Sequence, residues 1–207
     1  MMYYVRMSDA STPSLRERTR RAVQNELVEA GQTLFLAQGY DSTTVDDIAA
    51  AVGLSRRSFF RYFGSKEELV LGKIEFSGDD LTAALRSRPL DEEEWVSLQR
   101  MFDGVVAYAT DPDGRRRLDL LDRIVASTPS LRGAYLGRLD AIQSAIVETL
   151  RGRAEQAGHP YETSDPTPEA LVGAAFAALA AARAMTATSN QTLEQLLTRG
   201  MNGVRPA

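Results

Sequence analysis

The chain has 207 residues with 43% hydrophobic side chains, 24 Lys/Arg against 28 Asp/Glu for a net charge of −4, and no cysteine. That length allows one or two domains with a sizeable buried core, and the lack of thiols excludes disulfide frameworks and thiolate chemistry. Net acidity argues against a uniformly basic nucleic-acid binder, but residues 15–66 hold eight basic against six acidic side chains while residues 67–207 hold 15 against 21. A mildly basic N-terminal third on an acidic body directs one end of the protein toward a polyanion.

The first stretch, MMYYVRMSDASTPS, has no continuous apolar core of a secretory signal. Residues 1–14 read as a flexible tail, with Met7 as an alternative start. From Leu15 to Gln38 the apolar Val23, Leu27, Ala30 and Leu34 recur at helical steps. Arg16, Arg18, Arg20 and Arg21 crowd the first turns of this helix, where cations oppose the helix dipole, so helix stability does not account for them. Gly39 is placed as a C-terminal cap.

Thr44 then reads as an N-cap with Asp46 and Asp47 in the first turn. Val45, Ile48, Ala49 and Val52 give that short helix an apolar face, and Gly53 stops it. Ser55 caps a second short helix running to about Phe63, Gly64 ends it, and Ser65 caps a third. That third helix is predicted to run from Lys66 to about Arg86. Further helices are predicted over about 91–109, 114–126, 129–155, 167–188 and 192–202, separated by TDPDG, STPS, AGHPYETSDPTP and TSNQ. The expected fold is all-α, with about nine helices and no sheet.

Two short helices joined by a tight turn containing glycine make a helix-turn-helix, whose second helix lies in the major groove. Here that helix opens Ser55-Arg56-Arg57-Ser58. Guanidinium forks match guanine O6 and N7, and serine serves at base or phosphate. Phe59 and Phe63, four residues apart, anchor the helix in its own core. Arg61, Tyr62 and Lys66 reach for phosphates from the flank, as do the arginines opening the first helix. The plainer reading is an amphipathic helix whose arginines solvate one face.

The stretch GYDSTTVDDIAAAVGLSRRSFFRYFGSKEELV resembles the N-terminal domain of TetR-family transcriptional regulators. The likeness extends over about residues 15–75 and rests on the T-V-x-x-I-A core, V-G-L-S in the turn and F-x-x-Y-F-x-S-K-E-E-L at the close. It implies a homodimer on a near-palindromic double-stranded DNA operator. Each subunit would have a three-helix head over residues 15–65 and a ligand-binding and dimerisation body over 66–207. The resemblance also implies a cytoplasmic repressor that a small-molecule effector releases, with an activator as the alternative. From another class, the rival is an all-helical interaction protein or enzyme without DNA binding.

By this resemblance Thr44 caps its helix and meets phosphate, Ser55, Arg56, Arg57 and Ser58 read bases and nearby phosphates, and Tyr62 and Lys66 hold phosphate. Phe60 departs from the family's common tyrosine and leaves only apolar contact, such as with a thymine methyl. Asp46 would accept from cytosine or cap its helix.

For the body, Trp95, Phe102, Leu121, Ile124, Tyr135 and Phe176 are the candidate lining of an apolar pocket, or else ordinary core. The stretch RRRLDLLDRIVASTPSLRGAYLGRLDAI, followed by an Ala-rich helix, resembles regulators assigned to acyl-CoA-like effectors. The expected effector is therefore acyl-CoA-like or another hydrophobic ligand, with Arg115 to Arg117 or Arg123 meeting a phosphate. The arginine run also fits a solvated helix start. Ala174, Ala178, Ala181 and Met185 form the expected dimer stripe, with a buried monomeric helix as the alternative. The apolar run Ala170–Ala182 is shorter than the roughly 20 residues of a membrane span, so no membrane partner is expected. The lone His159 lies in a loop, the acid pairs look like helix-terminal charges, and neither a cofactor nor a metal is expected.

Overall fold

The computed structural model describes residues 14–71 and 78–206. Among these, eleven α-helices follow one another with no strand: α1 (Leu15–Gln38), α2 (Val45–Ala51), α3 (Arg56–Phe59), α4 (Lys66–Leu71), α5 (Gly78–Arg86), α6 (Glu94–Met101), α7 (Asp103–Thr110), α8 (Pro112–Ser127), α9 (Pro129–Gln156), α10 (Thr167–Thr186) and α11 (Leu193–Gly203). The all-α expectation holds, with two changes to the count. The continuity of the helix expected over 66–86 falls on residues 72–77, outside the described residues. The helix expected over 91–109 is two, because the Phe102 N–H donates to the Gln99 carbonyl at 3.1 Å in a tightened turn. The chain divides into two compact units, one ending at Leu69 and the other beginning at Val70.

In the N-terminal unit the first three helices have a chemical start. Ser14, Thr44 and Ser55 each accept a backbone N–H at the N-terminus of α1, α2 and α3, and the first two form full capping boxes with Glu17 and Asp47. Gly39 and Gly53 end α1 and α2 at φ +87° and +69°, conformations that cost an L side chain energy. The buried face of α1 is Leu27, Val28, Gly31 and Phe35. The expected stripe Val23, Leu27, Ala30 and Leu34 is thus the edge of the true face, and only Leu27 is fully buried. Close approach sets this rotation: a Cβ on Gly31 would lie 2.7 Å from Leu69 Cδ2 and 3.7 Å from Ile48 Cδ1. Leu27, Ile48 and Phe59, each at 0% exposure, form the centre of this small core.

The body's core is drawn from α5 to α11. Trp95, Leu98, Met101 and Phe102 meet Val172 and Ala175 of α10 and Met201 of α11, and Trp95 Nε1 donates to the Met201 carbonyl at 3.2 Å. One charge is buried here among the described residues. Arg153 of α9 donates to the carbonyls of Arg88 and Pro89 at 2.7 and 2.8 Å, tying α9 to the α5–α6 connection. Beside it, Glu92 pairs with Arg88 and accepts from Ser97 Oγ at 2.7 Å. By length and composition α10 is the one described helix able to cross a membrane. Its Leu171, Val172, Ala175, Ala178 and Ala182 instead enter the body's core, and it carries Arg183, paired with Asp122.

Candidate functional site

The turn between α2 and α3 presents the polar groups singled out in the sequence. The Thr44 N–H and hydroxyl both donate to Asp47 Oδ2, at 2.8 and 2.7 Å, and the Asp47 N–H returns a bond to Thr44 Oγ1. These bonds hold the Asp47 carboxyl below its ordinary range. Asp47, rather than Asp46, is therefore the carboxylate that completes the cap. Ser55 Oγ accepts from the Ser58 N–H and lies 3.0 Å from Ser58 Oγ, so the two serines first specify where α3 begins.

The two arginines that open α3 are held differently. Arg56 Nη1 donates to Asp46 Oδ2 at 2.8 Å with both side chains 60% exposed. Its guanidinium carbon also stands 5.7 Å from the centre of the Phe60 ring. Phe60 in turn meets buried Phe59 edge-on at 5.5 Å and remains 45% exposed. The aromatic that departs from the common tyrosine thus forms a platform under an arginine. Arg57 is exposed and has no hydrogen bond or ion pair with the described residues. The anchoring expected of Phe59 and Phe63 is present, since both are buried with ring centres 5.8 Å apart. The regular helix is shorter than expected: after Phe59 the chain continues through i→i+3 bonds to Arg61 and Tyr62.

Around this edge the flanking groups converge. Arg61 and Tyr62 line one groove with Arg16 and Arg20 of α1, and Gln24 Nε2 donates to the Tyr62 carbonyl at 3.4 Å. Gln24 is a positioning residue that its polarity alone does not reveal. Lys66 is more committed than a free phosphate contact. Its ammonium donates to the carbonyls of Tyr40 and Thr43 at 2.7 and 2.9 Å and sits 4.0 Å from the Tyr40 ring centre. Tyr40 donates to Glu67 at 2.7 Å, and burial followed by that carboxylate raises the phenol above its ordinary value. This cluster holds the loop that leads into Thr44.

In the body, α5, α7, α8, α9 and α10 line a partly open cavity of about 560 Å³. Tyr135 and Phe176 line it as expected. Trp95, Phe102, Leu121 and Ile124 do not. Trp95 and Phe102 fill the adjoining core, Phe102 stacking edge-on against Phe176 at 5.3 Å, and Leu121 and Ile124 are buried on α8. Helical phase separates them from Leu118 and Asp122, the α8 residues that do face the cavity. Leu139, Ile142 and Gln143 continue the Tyr135 face of α9, while Ala177 and Ala180 continue the Phe176 face of α10.

The one ion pair at the cavity is Arg183 Nη2 to Asp122 Oδ1, 2.8 Å among the described residues. Burial raises the Asp122 carboxyl above its ordinary value, against the pull of Arg183. The arginine run at 115–117 does not reach this cavity. Arg116 pairs with Asp113, Arg115 lines a smaller hollow beside Asp122, and Arg123 Nε donates to the Asp119 carbonyl at 3.3 Å.

The expected dimer stripe splits. Ala178 is 5% exposed and packs inside the chain, where a Cβ on Gly200 would approach it at 3.5 Å. It is a contact between α10 and α11, not an outer surface. Ala174 is half-buried, whereas Ala181 is exposed and Met185 is 50% exposed.

Residues 27–72 match the domain described as bacterial regulatory proteins, tetR family. The chain is 34% identical to the HTH-type transcriptional regulator TcmR of Streptomyces glaucescens over 151 residues, 70% of this chain and 66% of that protein. It is 28% identical over 132 residues to the HTH-type transcriptional repressor DhaR of Mycobacterium sp. strain GP1, covering 64% of this chain and 58% of that protein. The chain thus spans 66% and 58% of the length of these two curated relatives. Among solved structures, NalD of Pseudomonas aeruginosa, the secondary repressor of the MexAB-OprM multidrug efflux pump, superposes with a TM-score of 0.59 at 23% identity. That match covers 92% of this chain and 100% of NalD. A putative TetR-family regulator of Mesorhizobium loti gives 0.57 at 19% identity, covering 92% and 96%. At these identities the structural likeness speaks for the fold.

Proposed function

Because the chain belongs to the tetR family of bacterial regulatory proteins, we propose that it is a cytoplasmic, homodimeric transcriptional repressor that a small molecule releases from its DNA operator. The observation that carries the reading is the opening of α3. There Arg57 is exposed beside Arg56, on a helix whose start is capped by Ser55 and whose inner face is anchored by Phe59. Such an end can enter a major groove and present two guanidinium forks to base edges. The groove holding Arg16, Arg20, Arg61 and Tyr62 supplies the phosphate contacts that fix register. The head's basic excess makes the encounter electrostatic although the whole chain is acidic.

Dimerisation supplies a second recognition helix for the second half-site, about one helical turn away. The exposed small and apolar face of α10 at Ala181 and Met185 supports that role. Ala181→Glu is expected to leave the helical signal intact and convert dimers to monomers by light scattering; an unchanged mass would remove this face from the interface. The cavity in the body is the effector's place. A ligand acts there only in so far as it prefers the conformation that no longer fits DNA. The protein is a regulator and not an enzyme.

Fluorescence anisotropy against the DNA upstream of its own coding region tests the reading. One duplex is expected to bind far more tightly than scrambled DNA, and log K should fall linearly with log salt as counterions are released. Equal, salt-insensitive affinity for every duplex would overturn it.

A further inference from the structure

The cavity in the body has one side chain that its described partners leave largely unspent. Arg183 projects from α10 with its side chain only 17% exposed, and among the described residues its guanidinium donates once, from Nη2 to Asp122. A guanidinium presents a planar fork of several N–H groups made for two acceptor atoms at once. No buried side-chain nitrogen or oxygen among the described residues is sealed without a partner, so the remaining donors are not closed off in the core. The cavity whose wall Arg183 shares is otherwise lined chiefly by apolar side chains, among them Leu118, Leu139, Ile142 and Phe176. Its volume of about 560 Å³ lies within the roughly 300–1,000 Å³ of small-molecule sites.

Asp122 differs from its partner. Its side chain is 50% exposed, so it can turn to water without losing its solvation. Asp119, which shares the adjoining hollow, also repels its charge. Arg183 has less access to water and stays at the wall. An uncompensated cation there would be costly, which explains why a carboxylate stands beside it. The pair therefore consists of a fixed cation and an exchangeable anion.

From this asymmetry we infer that the effector is an apolar molecule carrying one acidic group, whose anion takes the place of Asp122 on Arg183 while its body fills the cavity. The inference rests on the effector reading proposed above and deepens it. The acid can be a carboxylate, sulfonate or acidic phenol, since each offers paired acceptors or a full negative charge to the fork. A phosphate-rich headgroup fits less well, because Arg116 is already paired with Asp113, and Arg116 and Arg123 are absent from the cavity lining. Tyr135 and Gln143 on α9 add neutral hydrogen-bonding groups for the rest of the ligand.

Two naphthalene dyes that differ in the acid alone test this on the full-length protein. They are 8-anilinonaphthalene-1-sulfonate and its neutral parent, N-phenyl-1-naphthylamine. The sulfonate is expected to bind once per chain at least tenfold more tightly than the parent. Arg183→Met should weaken the sulfonate at least tenfold while leaving the parent within about twofold. Asp122→Asn, which keeps the arginine and removes its competitor, should tighten the sulfonate several-fold. Equal affinity for the two dyes, no binding of either, or a sulfonate indifferent to both substitutions would overturn the inference. Should Arg183→Met fail to fold, judged by its circular dichroism, Asp122→Asn decides alone. DNA binding measured on the same wild-type preparation reports separately on the regulator. A protein that binds DNA but shows no preference for the acid refutes the ligand class only, and one that ignores DNA refutes the regulator.

Discussion

The two units of this protein present chemistry in opposite ways. In the N-terminal unit the candidate groups lie between Thr44 and Lys66, with a few more at the start of α1, and most are exposed. In the body the cavity is built by residues from Leu81 to Ala184 on five helices, and its one ion pair among the described residues joins α8 to α10. A surface that meets a polyanion needs charge outside and a rigid support beneath it. A cavity that holds a small molecule needs apolar walls from many directions with a polar anchor among them. The first can be written in one short stretch of chain, whereas the second requires the tertiary fold.

The largest effects come from removing each unit's support. Phe59→Ala empties the centre of the head, and Arg153→Ala strips the buried cation that holds the Arg88 and Pro89 carbonyls. Each should cost about 3–5 kcal/mol of stability, the first as a cavity and the second as a broken buried network. In urea unfolding, Phe59→Ala is expected to abolish DNA binding before dye binding is lost, and Arg153→Ala the reverse. Simultaneous loss in both would show that the units do not act separately.

Next in size is Arg57→Ala, expected to cost about 1–3 kcal/mol of operator binding and to relax preference at one base pair. Equal loss on every sequence, measured with single-base operator variants, would make Arg57 a phosphate contact. Smaller again is a pH effect in the body. The hydrogen bond from Arg88, outweighing partial burial and aided by Ser97, lowers the Glu92 carboxyl from an ordinary 4.5 to about 2. A depressed folded-state value means stabilisation that is present above about pH 4.5 and lost as pH falls toward 2. Glu92→Gln should therefore lower the urea midpoint at pH 7, with a disadvantage that shrinks steadily below about pH 4.5 and disappears as pH approaches 2; a constant gap would remove Glu92 from the acid response.

The same contrast explains what could be read from the sequence. Caps, stopping glycines and the Phe59/Phe63 spacing are local signals, and the structure has Thr44, Ser55 and Ser65 capping, with Gly39 and Gly53 ending their helices. What stayed hidden even in the head was contact across elements, such as Lys66 on the Tyr40 and Thr43 carbonyls. In the body, apolar type identified core residues but not which of them face a void. One step of helical phase separates buried Leu121 from cavity-lining Asp122, and Ala178 from Ala177. Arg183 reads in sequence as the end of an apolar run, and its value as an anchor depends on Asp122, 61 positions away in the chain.

The smallest expected effect bears most directly on how the head reads DNA. Asp46 holds Arg56 through an exposed pair, which contributes only about 0–1 kcal/mol to stability, and Phe60 supports the same guanidinium from below. Asp46→Asn removes one negative charge from the face proposed to meet DNA, so non-specific affinity should rise at low salt. It also frees Arg56 from one of the two groups that hold it, so, if Arg56 reads a base pair as proposed, discrimination at that pair should fall. Both quantities come from one experiment, anisotropy against the operator and a variant substituted at that pair. A rise in affinity with unchanged discrimination would reduce Asp46 to a local charge. A fall in discrimination would make it a positioning residue, with the specificity of the helix resting on a carboxylate and a ring that need not touch DNA themselves.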